Sequence, residues 1–241
     1  MALHTHKYLA ATGRPQAHQA QGTTMPRAFH YMLSQNRLYL SVTAKHALRG
    51  KPFATLFHSR GPAFKLPGLP AEYEPTAEEM AQAVEDVYET DPRKKELAKI
   101  GMGELDEGVV FAGSGEPLLF LDRVIKATEL IKERRHGVPV RLATTGIGSP
   151  KSPAETVRTL EASGVEHLSL FVPSVDGQQY AELMAGQSLS SACSFSVMAA
   201  EAGMKVNWVC VANKALAIGP MQSLALSCGA VELVVKEFVH Q

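Results

Sequence analysis

From residue 37 onward two patterns take turns along the chain. Residues 37–43 (RLYLSVT) alternate apolar and polar side chains and are rich in β-formers, so they predict a strand. Residues 108–112 (GVVFA) are apolar throughout, as in a strand buried on both faces. Further strands are expected at 138–143, 166–172 (EHLSLFV), 205–212 (KVNWVCVA) and 231–239. Between them the apolar period lengthens to that of a helix. Thr76 and Glu79 make a capping box ahead of the stripe Met80, Val84 and Val87. Leu121, Val124, Ile125, Thr128 and Ile131 follow at helical spacing, and Gly137 stops that helix. Ser152 and Glu155 make a second capping box, with Pro153 at the first helical position and Gly164 at the end. Asp176 caps a short helix through Met184, and two more helices fall at about 189–202 and 219–228.

Six strands alternating with helices over short connections define an α/β protein with parallel strands and right-handed crossovers. An open doubly wound sheet and an incomplete βα barrel both satisfy that order. A full eight-unit barrel takes about 250 residues. About 205 follow residue 36, so six units fit. Residues 44–71 interrupt the cycle with Gly50, Pro52, Gly61, Pro62, Pro67, Gly68 and Pro70. A connection of that length is normally functional or disordered. Residues 1–36 are expected to stand apart as a disordered or targeting segment, leaving 37–241 as the folded domain. Residues 1–29 carry no acid and are rich in Ala, Gln and Thr, like an organelle transit peptide, though poor in Ser and Arg.

Charge sharpens this division. The chain of 241 residues has a formal net charge of zero. Residues 1–71 nevertheless hold nine Lys/Arg and no acid, and the remainder holds fifteen Lys/Arg against twenty-four Asp/Glu. The basic part is a candidate surface for an anionic partner or nucleic acid. Only three cysteines occur, Cys193, Cys210 and Cys228. An odd number at wide spacing excludes a disulfide framework and points to a reducing, intracellular setting, cytoplasmic or organellar. No apolar run approaches the roughly 18–20 residues of a membrane span, so no membrane partner is expected. Nothing in the pattern sets an oligomeric state.

In either architecture, ligands gather at the C-terminal edge of the strands. Two turns stand there besides the long loop: Gly113-Ser114-Gly115-Glu116-Pro117 and Thr144-Thr145-Gly146-Ile147-Gly148. Gly113 and Gly115 allow close backbone approach to a ligand. Glu116 adds a carboxylate able to hold an ammonium. The plain alternative is a tight βα turn with a solvated glutamate. The G-x-G lacks the x-x-G that follows in a dinucleotide-binding fingerprint, and Pro117 stands where a phosphate-binding helix would start.

Residues 109–117 (VVFAGSGEP), Leu121-Asp122, 138–146 (VPVRLATTG), Leu168–Leu170 and Asp176-Gly177-Gln178-Gln179-Tyr180 together resemble the radical S-adenosylmethionine (SAM) superfamily, nearest to its small TatD-linked branch. The likeness covers about 37–239. It implies a partial (βα)6 barrel of the TIM type with helices outside. It also implies a SAM pocket formed by Gly113, Gly115, Glu116 and Pro117 around the amino group, by Thr144 and Thr145 after the next strand, by Ser169 near the ribose, and by Val211 or Ala212 against adenine. Members of that superfamily carry a [4Fe–4S] cluster on three thiolates spaced C-x3-C-x2-C after the first strand, because thiolates match the soft irons.

The chain departs from the pattern there. His46, Gly50 and Phe53 occupy the three cysteine positions, and no cysteine occurs anywhere in 1–192. The cluster and its radical chemistry are therefore expected to be lost, which leaves a pseudoenzyme with a small-molecule pocket. Two other readings stay open. Lys45, Arg49, Lys51, Arg60 and Lys65, interleaved with Phe53, Phe57 and Phe64, suit a phosphate-bearing or nucleic-acid partner. The plain alternative is a solvated loop whose aromatics cap the barrel. His46 and His58 are the candidates for a different metal or for non-radical acid–base chemistry in the same pocket. Trp208 and Cys210 are expected in the core, and the runs Arg93-Lys94-Lys95 and Lys132-Glu133-Arg134-Arg135-His136 at solvated helix ends.

Overall fold

A computed structural model of the chain describes residues 29–32, 37–47, 73–92, 94–95, 106–112, 115–211 and 217–236. Its strands are β1 (Phe29–Met32), β2 (Arg37–Ser41), β3 (Val109–Ala112), β4 (Val140–Thr144), β5 (His167–Phe171), β6 (Lys205–Val211) and β7 (Glu232–Lys236). The main helices are α1 (Ala77–Thr90), α2 (Leu121–Arg134), α3 (Pro153–Ser163), α4 (Gly177–Leu183), α5 (Leu189–Glu201) and α6 (Ile218–Ser227). One sheet contains all seven strands in chain order. Strands β2 to β7 pair in parallel, and β1 lies antiparallel on the outer edge of β2, with Phe29 opposite Leu40 and Met32 opposite Arg37.

The order decides between the two architectures. Every crossover steps to the next strand in the same direction, so right-handed connections place all the helices on one face. A doubly wound sheet would reverse direction partway. Accordingly α1 packs on α2, α2 on α3 and α3 on α5. The sheet stays open between β1 and β7, as a partial βα barrel requires. The six expected parallel strands and their helices are all present. The expectation that nothing before residue 37 joins the fold needs correction: β1 lies inside that segment and extends the sheet by one strand.

Alternation along the strands separates the two faces. Leu38, Leu40, Val109, Phe111, Val140, Leu142, Leu168, Leu170, Val206, Trp208 and Cys210 are fully buried in the core under the helices. Trp208 Nε1 donates to Ser196 Oγ of α5 at 2.9 Å, and that hydroxyl donates to the Cys228 carbonyl at 2.9 Å, which ties β6 to the middle of α5 and to the C-terminal end of α6. Both capping boxes form as the sequence predicts. Glu79 N donates to Thr76 Oγ1 at 3.1 Å and Thr76 N to Glu79 Oε2 at 2.7 Å, while Ser152 and Glu155 repeat the exchange at α3.

The two charged runs are less solvated than expected. Lys94 is fully buried, with its ammonium 2.5 Å from Asp106 Oδ1. Asp106 also accepts from the Tyr88 hydroxyl of α1 and, at 2.8 Å, from Gly108 N at the entrance to β3. At the end of α2, Arg135 grips Glu85 of α1 with Nε and Nη2 at 2.8 and 2.9 Å and stacks 4.7 Å from the Tyr88 ring centre. Lys132 reaches Glu166 at 2.7 Å. Lys95 is exposed as expected, and Arg93 lies outside the described residues.

Candidate functional site

The C-terminal ends of β2, β3 and β4 converge on one carboxylate. A single-turn 3-10 helix, Pro117–Phe120, follows β3, and Glu116 caps it by accepting from Leu118 N at 3.0 Å. The same side chain crosses to the exit of β4. Thr144 Oγ1 donates to its Oε1 at 2.5 Å, and Thr145 N and Oγ1 donate to its Oε2 at 2.8 and 2.6 Å. Glu116, Thr144 and Thr145 are all buried. Burial pushes the Glu116 carboxyl pKa up, against the pull of these hydrogen bonds.

This geometry excludes a solvated glutamate. It also assigns the carboxylate a different task from gripping an ammonium. A carboxylate has about four acceptor positions, and Leu118, Thr144 and Thr145 engage all of them with four donors. Glu116 therefore fixes the turn against the exit of β4.

Gly115 brings the third strand end in. Glu116 N donates to the Lys45 carbonyl at 2.8 Å. A Cβ built on Gly115 would stand 2.4 Å from the Thr43 carbonyl oxygen and 2.5 Å from that of Lys45. Only glycine lets these chains approach so closely. Gly148, with φ 92°, does the same beyond β4, where an added Cβ would meet the Ala47 side chain at 2.9 Å. Lys45 is not a free cation of the basic loop. Its ammonium lies 2.5 Å from Glu74 and 5.3 Å from the Phe120 ring centre, while Arg123 reaches the other Glu74 oxygen at 3.1 Å. A shallow hollow lies on the outer side of this turn, lined by Leu119, Phe120, Asp122, Arg123 and Pro150.

The structure thus unites Gly115, Glu116, Pro117, Thr144 and Thr145. Ser169 stands one strand over, as the register partner of Ala143. It lies on β5, on the sheet face turned away from the helices, and its Oγ accepts from Arg141 Nη1 at 3.2 Å. Gly113, Gly50, Phe53, His58, Ala212, and Arg49, Lys51, Phe57, Arg60, Phe64 and Lys65 of the basic loop lie outside the described residues.

As for a metal, His46 is half-buried, but no group of three or more His, Cys, Asp or Glu able to hold an ion occurs among the described residues. Glycine and phenylalanine at positions 50 and 53 offer no ligating side chain. This donor set does not fit a [4Fe–4S] cluster. The three cysteines do not replace it. Cys210 is core, and its thiol is pushed up to about 11 by burial. Cys193 is pushed up to about 12 by burial and by the neighbouring Cys228 thiol. Raised thiols of this kind are poor thiolate donors.

Sequence reasoning missed Arg141 and His167. Arg141 Nη2 lies 3.3 Å from His167 Nδ1, and the two residues are register partners on β4 and β5. Strand periodicity alone places Arg141, His167 and Ser169 on one face. An arginine can only donate, so Nδ1 accepts and the imidazole is neutral, with its proton on Nε2. Burial, then the charges of Arg141 and Lys205, push its pKa down to about 4, with Glu166 opposing and Arg37 adding to the effect. The unfolded imidazole titrates near 6.5. Stability contributed by the neutral ring is complete above that pH and is lost as pH falls toward 4. His167→Gln is expected to flatten this limb of the stability curve by about 1–2 kcal/mol, after discounting for solvent screening of a half-buried ring. Urea unfolding of both proteins between pH 7 and 4 checks it, and parallel curves would remove the effect.

No protein-family model and no curated protein matches the chain. Solved structures do. SuiB from Streptococcus suis bound to its precursor peptide SuiA superposes with a TM-score of 0.60 at 14% identity, over 83% of this chain and 39% of that one. SuiB bound to S-adenosylmethionine gives 0.58 at 14% identity, over 86% and 43%. Methylornithine synthase (PylB) gives 0.56 at 16% identity, over 85% and 54%. The chain shares the fold of these proteins over most of its length. It spans about two fifths to one half of the length of these proteins. Among the described residues no helix is long and apolar enough to cross a membrane.

Proposed function

We propose that this chain is a degenerate radical SAM-like protein. It has lost the cluster and the radical reaction but keeps a small-molecule pocket at the C-terminal ends of β2 to β4, suited to SAM or a related ligand. The observation that carries this reading is the Glu116 turn. Four protein donors hold its carboxylate, and Gly115 is pressed against Thr43 and Lys45. That construction keeps the strand ends in place, while the cluster positions hold His46, Gly50 and Phe53. The ligand's amino group would be met by backbone carbonyls of the turn, with Gly113 and Pro117 on either side of Gly115 and Glu116. Without an iron to chelate the amino and carboxylate groups, affinity for SAM is weaker than in an enzyme with a cluster.

Two measurements test the reading. Anaerobic reconstitution with iron and sulfide is expected to give no cluster absorption and no 5′-deoxyadenosine from SAM. A bound cluster with SAM cleavage would overturn the loss of chemistry. Calorimetry with SAM is expected to show weak, saturable binding that Glu116→Ala abolishes. Absence of heat with the wild-type protein would overturn the retained pocket.

A further inference from the structure

On the face of the sheet turned away from the helices, Arg141 makes no direct ion pair among the described residues, with Glu107 and Glu232 acting on it only from a distance. Arg141 is half-buried near the start of β4. Its Nη1 donates to Ser169 Oγ and its Nη2 to His167 Nδ1, at 3.2 and 3.3 Å, and its Nε is buried with no hydrogen-bond partner. No carboxylate pairs with it among the described residues, whereas Arg37 on the same face pairs with Glu107 at 2.9 Å. A desolvated guanidinium without an anion is unfavourable, and burying its donors unbonded adds to the cost. Nothing in the packing of the core calls for it, since Val140, Leu142, Leu168 and Leu170 fill the other face.

We propose that Arg141, His167 and Ser169 form a recognition site for the carboxylate or phosphate group of a small anionic ligand. The donors are complementary to such a group. Guanidinium has five N–H donors in a planar fork; two are engaged here and Nε is buried, so one N–H on each terminal nitrogen remains. Ser169 Oγ accepts from Arg141, which leaves its own O–H to donate. His167 accepts at Nδ1, which puts its remaining proton on Nε2. A positive fork, a hydroxyl and an imidazole N–H on adjacent parallel strands hold an oxyanion from one side. The neighbouring row sets the limit of the site. Asn207 is the register partner of Ser169, and its amide is committed to Glu232 at 3.0 Å, so a carboxylate marks the far edge. Lys205, the register partner of His167, adds positive charge on the β6 side. None of its three side chains is a partner of the Glu116 carboxylate, and its test does not use SAM.

The test is a titration of the full chain, labelled at histidine and followed by NMR, with inorganic phosphate and separately with acetate at constant ionic strength. The expected result is a saturable shift of the His167 ring signals and an upward move of its titration midpoint by one pH unit or more. Arg141→Gln is expected to abolish the response, and Ser169→Ala to weaken binding about three- to tenfold. If Arg141→Gln does not fold, Arg141→Lys, which keeps the charge but removes the fork, is expected to weaken binding tenfold or more. Saturation by phosphate alone identifies a phosphate-bearing ligand, and saturation by acetate alone a carboxylate. Linear responses to both anions, or a response unchanged in the Arg141 and Ser169 variants, would overturn the proposal. SAM calorimetry is independent of this readout, so failure of one site is not mistaken for failure of the other.

Discussion

Asp106→Ala is expected to lower the unfolding free energy by about 3–5 kcal/mol, the usual consequence of removing one partner from a buried ion pair. The substitution takes the Asp106 carboxylate from the fully buried Lys94 ammonium, and an acceptor from the Tyr88 hydroxyl and from Gly108 N. Burial already pushes the Lys94 pKa down, and Asp106 is the main force holding it up. Lys94→Met is expected to cost less, because the carboxylate keeps two donors. The double variant Lys94→Met, Asp106→Leu is expected to fall short of the summed single losses, since the residues act as one unit. Denaturant unfolding of the four proteins measures this. Single losses below about 0.5 kcal/mol, the range of an ordinary surface change, would show that the network is not formed. The network anchors the entrance of β3, and the other end of that short strand leads into the Glu116 turn.

Glu116→Ala is expected to cost about 2–5 kcal/mol. Leu118 N and Thr145 N each lose a buried acceptor, at about 1–3 kcal/mol apiece. The two threonine hydroxyls can rotate to new partners and add less. Thr145→Val, which removes one donor and keeps the shape, is expected to cost about 1 kcal/mol. Unfolding curves give these values, and SAM calorimetry on the same proteins separates a lost pocket from a loosened one. A Glu116→Ala protein as stable as wild type would show that the carboxylate is solvated.

The alternation of strands and helices was legible because the parallel strands are short runs rich in β-formers and several helices carry their own cap or apolar stripe. The Thr76 and Ser152 boxes mark their helices without help from tertiary structure. What escaped was set by partners distant in sequence. Four residues, Phe29–Met32, become a strand only because β2 offers an edge, and their acid-free surroundings look like a leader. Lys94 looks solvated until Asp106, twelve residues on, is placed beside it. The turn Gly115-Glu116-Pro117 was legible as a motif, whereas the role of its carboxylate was not. That role depends on Thr144 and Thr145, twenty-eight and twenty-nine residues away. Arg141 and His167 carry a period-two signature with Ser169, but their meeting depends on the register between two strands. The basic loop can be judged only at Lys45, which is already paired.

The order of the strands has a consequence for how the protein is made. A ribosome releases the chain from its amino end, and each parallel strand that emerges finds its sole earlier neighbour already on the growing edge. None must wedge between two strands formed before it. The β1–β2 hairpin supplies the first template, and each later strand–helix unit lengthens the sheet by one step. An interrupted synthesis would therefore leave a shorter sheet with a raw edge, not a sheet with a gap.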